Sequence, residues 1–144
     1  MRNNKKSAGI AVIYKNKILL VHPYRGPWKG SFSIPKGGLE IGETILDGAI
    51  RELKEEVGIS LNKTLFKEHD YFLTVYKSGK TVYYWIHIIQ SLSEIGLQSE
   101  VVPKNQLQAE EVDWAGFVSF EDAKTKILIG QLAILDKIQE RRVF

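Results

Sequence analysis

Three glutamates, Glu52, Glu55 and Glu56, follow Arg51 near the end of the stretch 37–59, GGLEIGETILDGAIRELKEEVGI. At about 3.6 residues per turn each residue advances about 100° around a helix axis, so the three carboxylates share one sector. Leu46, Ala49, Ile50, Leu53 and Val57 fall on the other side, which gives one apolar stripe and one acidic face. Like charges three and four apart repel by about 0.2–0.5 kcal/mol per pair, and acids near a helix C-terminus oppose its dipole. Stability alone would not choose this arrangement, although the cost is small enough for a solvated acidic face. The surroundings favour chemistry: hard carboxylate oxygens stand beside a glycine-rich turn and two cations, Lys36 and Arg51. Mg²⁺ takes such oxygens and commonly bridges them to phosphates. The face is therefore a candidate site for a divalent metal.

Elements that must hold these groups are written around them. Thr44 can cap the helix with Asp47 three residues on, and Gly58 closes it. Gly37 and Gly38 allow a turn after Lys36, and Gly42 allows a second sharp bend. A mid-helix glycine costs about 1 kcal/mol relative to alanine. Gly48, on the acidic side, is thus expected where another segment comes close. Arg51 lies one turn before Glu55 and can pair with it, so structural support of the acidic cluster is its expected role.

The spacing Gly37, five residues, Glu43, seven residues, then Arg51, Glu52, Leu53, Lys54, Glu55, Glu56, Val57, Gly58, Ile59 resembles the signature of the Nudix hydrolases, with every fixed position filled. That resemblance implies a Nudix-type α/β/α sandwich with a mixed sheet between helices and hydrolysis of a pyrophosphate link. It implies Glu52, Glu55 and Glu56 as ligands of Mg²⁺, with Mn²⁺ as a substitute, and the Gly37 carbonyl as an extra ligand. Bound Mg²⁺ screens phosphoryl oxygens and lowers the pKa of its water, so no covalent nucleophile is required. By the same resemblance Lys36, in a Pro-Lys-Gly segment, is a candidate phosphate contact. Glu111, three residues before Trp114, is a candidate general base beside Glu110. Two exposed glutamates at a strand edge is the alternative reading. Glu43 is expected to fix the loop against the helix.

The rest of the chain reads as a frame. Residues 8–14 and 18–22 are β-branched runs around Lys15-Asn16-Lys17, a hairpin. Residues 23–31 form a Pro/Gly loop in which Arg25 and Lys29 are phosphate contacts or solvated charges, and Trp28 a base-stacking ring or a packing anchor. Residues 32–36 form a short strand stopped by Pro35. Strands are expected at 65–76 and 81–89 around the turn 77–80, with Tyr83 and Trp85 on one face and Val82, Tyr84 and Ile86 on the other. Residues 90–110 are long for a connection and are read as a flap over the site. A strand over 111–118 and helices opened by Ser119 with Asp122 and over 130–142 complete an α+β domain spanning 1–144.

Composition narrows the function classes. The chain has 144 residues, enough for one domain with a real core, and no cysteine, which excludes disulfides, thiolate metal sites and a Cys nucleophile. No apolar run reaches 18 residues and the start has no leader pattern, so a cytoplasmic protein without membrane contact is expected. A net charge of +3 without like-charge runs suits a small polyphosphate substrate better than nucleic acid, an RNA 5′ end excepted. A monomer or homodimer is expected.

Two features resemble the asymmetric diadenosine tetraphosphate hydrolases within that family. They are Tyr76 with the run Lys80-Thr81-Val82-Tyr83-Tyr84-Trp85, and the segment from Glu111 to Phe117 with Glu121-Asp122-Ala123. The proline that ADP-ribose members carry at about 73–75 is replaced by Leu73-Thr74-Val75. Tyr76 and Tyr84, with Arg25 and Lys36, are the expected substrate contacts. The reading is a dinucleoside polyphosphate cut to ATP and AMP, with a (d)NTP pyrophosphatase, an RNA 5′ pyrophosphohydrolase or a nucleotide-sensing domain as alternatives.

Overall fold

The computed structural model describes residues 2–26 and 30–141. Trp28 and Lys29 lie outside the described residues. The first β-branched run is longer than its apolar part: β1 spans Arg2–Tyr14 and turns through Lys15, at φ 54°, into β2, Lys17–Pro23. β3 is Lys36–Glu40, α1 is Ile45–Val57, β4 is Phe72–Val75 and β5 is Thr81–Ile89. β6 is Val112–Ser119, α2 is Phe120–Lys126 and α3 is Leu132–Arg141.

The sheet runs β4-β5-β1-β2-β6, with β3 also paired to β1. β1 and β5 are parallel, from Lys6 opposite Thr81 to Tyr14 opposite Ile89, and the other pairs are antiparallel. β1 keeps β2 only at the hairpin end and takes β3 along Arg2–Gly9. The strand carrying the glycine-rich segment is thereby fastened to the centre of the sheet.

Alternation along the strands separates two cores. Ala8, Ile10 and Val12 meet Leu46, Ala49, Leu53 and Val57 of α1, whereas Ala11 and Ile13 meet Phe120 and Ala123 of α2 and Ile134, Leu135 and Ile138 of α3. Period-two strands and period-3.6 helices thus produce three layers, with the mixed sheet in the middle. Burying a leucine such as Leu53 contributes about 1.5–3 kcal/mol, so α1 is anchored through the face opposite its acids.

Several expected boundaries shift. The strand expected over 65–76 is confined to Phe72–Val75, because Asn62 caps a short 3-10 turn at Lys63–Leu65 and the Trp85 indole N–H donates to the Lys67 carbonyl at 2.9 Å. Gly37 and Gly38 are not a turn but part of β3, opposite Ala8 and Ser7. The segment before them, expected as a strand, makes only isolated bridges, Ser33 to Val21 and Phe32 to Ile127. The flap expected at 90–110 is packed instead. Ile95, Leu97 and Val102 are buried in the α1-side core, and the Val102 N–H donates to the Ala115 carbonyl at 2.9 Å.

Candidate active site

α1 begins and ends where its sequence says. Thr44 Oγ1 accepts the Asp47 N–H at 3.1 Å, and Gly58, at φ 70°, donates its N–H to the Lys54 carbonyl at 2.9 Å. Only a residue free to adopt positive φ ends a helix this way without strain. β3 crosses the acidic face so closely that a Cβ at Gly37 would overlap the Glu52 carboxyl group, and one at Gly48 would overlap the Leu39 side chain. The mid-helix glycine is the contact point of a neighbouring segment, as its position suggested.

Arg51 braces the cluster. Its Nε donates to Glu43 Oε2 at 2.7 Å and its Nη2 to Glu43 Oε1 and the Gly38 carbonyl, both at 2.9 Å. Nη1 reaches Glu52 Oε1 at 2.9 Å and Glu55 at 3.1 and 3.2 Å. Hydrogen bonding to Glu43 is the chief reason the guanidinium stays ionised despite partial burial. Glu43 also accepts the Glu40 N–H at 3.0 Å, tying the loop to the helix.

Glu52 is 2% exposed, and Glu56 stands beside it, accepting the Lys36 N–H at 3.2 Å. Desolvation first, and the Glu52 charge second, push the Glu56 carboxyl up to about 8. The Lys36 ammonium is lowered by burial and by Lys80, against the pull of Glu56 and Glu52. Such a pair of carboxylates in a desolvated setting costs several kcal/mol unless a cation compensates it. The hard carboxylate oxygens of Glu52 and Glu56, gathered beside the cations Arg51 and Lys36 in a desolvated setting, suit Mg²⁺ or Mn²⁺. Among the described residues no three or more acids or histidines form a ready coordination group; in this geometry Arg51 Nη1 stands between Glu52 and Glu55. The donor chemistry therefore fits, with Glu52 and Glu56 foremost.

Lys36 and Glu56 open onto a cavity of about 400 Å³ that Glu110 and Glu111 also line. The Gln108 N–H donates to the Glu56 carbonyl at 3.0 Å and the Glu111 N–H to the Gln108 carbonyl at 2.9 Å, which ties this segment to the end of α1. Arg25, at φ 64°, lies between the cavity-lining Tyr24 and Gly26, and its guanidinium is over the Tyr24 ring, 5.2 Å from the centroid.

The aromatics are arranged differently from the expectation. Tyr84 is fully buried in the core beneath α2 and α3, so it presents no face to a base, and its expected substrate role is corrected. Its hydroxyl lies 3.2 Å from that of Tyr76, which also accepts Gln131 Nε2 at 3.2 Å. Gly130 lies against the Tyr76 ring. Residues that the sequence reading missed include Gln131, fully buried, which accepts the Ile34 N–H at 2.9 Å and donates to Ser33 Oγ at 2.8 Å. Ser31 and Ser33 in the cavity wall were also missed, although the alternation Ser31-Phe32-Ser33-Ile34 was there to mark a polar face.

A family model described as NUDIX domain matches residues 3–138. The chain belongs to the Nudix family. An ADP-ribose pyrophosphatase of Methanocaldococcus jannaschii is 48% identical over 44 residues, 31% of this chain and 26% of that protein. The mRNA-decapping enzyme subunit 2 of Saccharomyces cerevisiae is 32% identical over 111 residues, 76% of this chain and 10% of that protein. This Nudix chain thus spans about a quarter or less of the length of these curated relatives. In structure it is similar to an Ap4A hydrolase of C. elegans, with a TM-score of 0.69 and 23% identity over 94% of this chain and 96% of that one. That likeness confirms the expected mixed-sheet sandwich. Among the described residues no helix is long and apolar enough to cross a membrane.

Proposed function

We propose that this Nudix chain is a divalent-metal-dependent pyrophosphohydrolase acting on nucleoside polyphosphates, with a dinucleoside polyphosphate as its substrate: diadenosine tetraphosphate and water give ATP and AMP. The observation that carries the reaction class is the juxtaposition of Lys36 and Glu56 in the wall of one cavity, with Glu52 buried beside Glu56. In this reading Glu52, Glu55 and Glu56, with the Gly37 carbonyl, hold Mg²⁺ or Mn²⁺. The bound ion supplies neutralisation of phosphoryl oxygens and a more acidic water. Lys36 and Arg25 bind phosphate oxygens, Glu111 accepts a proton from the attacking water, and Arg51 keeps the carboxylates in position. A cytoplasmic location goes with this reading.

The choice of dinucleoside polyphosphate is supported by the likeness to an Ap4A hydrolase over nearly the whole chain. A second reading, pyrophosphate removal from an RNA 5′ end, is favoured by the 111-residue similarity to an mRNA-decapping subunit. The test is chromatographic identification of products from diadenosine tetraphosphate, dATP, dGTP, ADP-ribose and 5′-triphosphate RNA, each with Mg²⁺. Fastest loss of diadenosine tetraphosphate to ATP plus AMP is the expected result. Preferential turnover of the RNA, weakening steeply with salt, would favour the second reading, and no turnover of any member would overturn both.

A further inference from the structure

The carboxamide of Gln131, a fully buried residue, grips the segment that leads into Lys36. Its Oε1 accepts the Ile34 N–H at 2.9 Å, and its Nε2 donates to Ser33 Oγ at 2.8 Å and to the Tyr76 hydroxyl at 3.2 Å. On one side of that segment Ser33 exchanges backbone bonds with Val21, at 2.8 and 2.9 Å. On the other, the Phe32 N–H goes to the Lys126 carbonyl and the Phe32 carbonyl takes the Leu128 N–H, both at 2.9 Å. One step further along this second side the Ile34 N–H goes to the Gln131 side chain, which stands in for the next strand residue. Ile34 is itself fully buried, so its N–H has no water to turn to. Pro35 has no N–H to give, and its carbonyl accepts the Ile10 N–H at a longer 3.3 Å. Lys36 follows, with its N–H on Glu56 Oε1 and its side chain in the cavity wall.

We infer that Gln131 is a positioning residue: its carboxamide fixes the backbone of Ser33–Pro35 and thereby places Lys36 against the substrate's phosphates. This deepens the proposed function and rests on it, since Lys36 is taken there as a phosphate contact. Gln131 touches no substrate, because it is buried behind Ser33, a residue of the cavity wall. Its effect runs through the two residues between Ser33 and Lys36. A misplacement of about 1 Å can cost up to about a hundredfold where groups must meet a substrate in register. The bond to Tyr76, the longest of the three, orients the amide, whereas the bonds to Ile34 and Ser33 hold the segment itself.

The test is a double-mutant cycle in Mg²⁺ buffer, read by calorimetric binding of α,β-methylene-ADP, whose one pyrophosphate link cannot be hydrolysed. Gln131→Met keeps the length of the side chain and removes its three bonds, and Lys36→Met removes the ammonium. Gln131→Met is expected to weaken binding about tenfold when Lys36 is present and less than about twofold in the Lys36→Met background. Gln131→Glu keeps an acceptor for Ile34, and the Ser33 and Tyr76 hydroxyls can turn to donate to it, so affinity should return to within about threefold of wild type. Equal weakening in both backgrounds would overturn the route through Lys36, and unchanged binding in both would overturn any positioning role. Should Gln131→Met fail to melt cooperatively, exchange of the wild-type Ile34 amide, followed by NMR, decides instead. Slower exchange with the analogue bound than without it supports the link to the phosphate site, and exchange that is fast or indifferent to the analogue overturns it. A wild type that binds and hydrolyses no nucleotide would overturn the functional reading, a result distinct from a working enzyme indifferent to Gln131.

Discussion

Gly37 is a residue at which chemistry and backbone meet, because any side chain there would occupy the space of the Glu52 carboxylate. Gly37→Ala should lower kcat at least a hundredfold and cost about 1–3 kcal/mol of stability by overpacking; steady-state kinetics and denaturant unfolding check the two parts. Glu56 gives a pH prediction. Its carboxyl is raised in the folded chain to about 8, chiefly by desolvation, and above the usual carboxylate value. Between about pH 4.5 and pH 8 the folded state holds a proton that the unfolded chain has released, so metal-free stability should fall as pH rises through that window. Mg²⁺ competes for the same oxygens, and its affinity should climb up to about tenfold per pH unit until about pH 8 and then level. Calorimetry across that range, with proton release measured in two buffers, checks it; an affinity flat from pH 5 to 8 would contradict it. Residue types and spacing made Glu52, Glu56 and Arg51 legible in the sequence. Tyr84 was not, because an aromatic on a strand reads the same whether its face meets core or ligand.

At the scale of elements, α1 was the most legible, since its cap, its stripe and its closing glycine each leave a local mark. Thr44→Ala should cost about 1 kcal/mol, measured by urea unfolding, by freeing the Asp47 N–H it now accepts. Tyr76 belongs to a junction rather than to one element: its hydroxyl joins β4 and β5 to the buried Gln131 ahead of α3. Tyr76→Phe should therefore cost about 1 kcal/mol in stability while KM stays within twofold. A KM increase without a stability change would return Tyr76 to the substrate. The short strand expected at 32–36 failed for an opposite reason. Its backbone bonds go to Val21 on one side and to Lys126 and Leu128 on the other, partners that no local pattern announces.

For the whole molecule, the two-sided sandwich could be anticipated from alternation, but the parallel pairing of β1 with β5 joins segments some 75 residues apart and leaves no trace in either. The same holds for 90–110, whose polar composition suggested a flap and whose few apolar residues instead fill the core under α1. Amides of Val102 and Phe117, bonded to Ala115 and Glu100, should exchange with solvent as slowly as those of the central strands. Fast exchange there, measured by hydrogen exchange with mass spectrometry, would restore the flap.

The central claim, a metal-dependent hydrolytic centre built on the carboxylates of α1, is tested most directly by the turnover of Glu56→Gln with Mg²⁺, beside its thermal unfolding without the metal. The variant keeps size and shape and replaces a desolvated ionisable group with a neutral amide, so it should fold as well as the wild type or better, while kcat drops at least a hundredfold. A well-folded Glu56→Gln protein retaining more than about a tenth of the wild-type kcat would contradict the account.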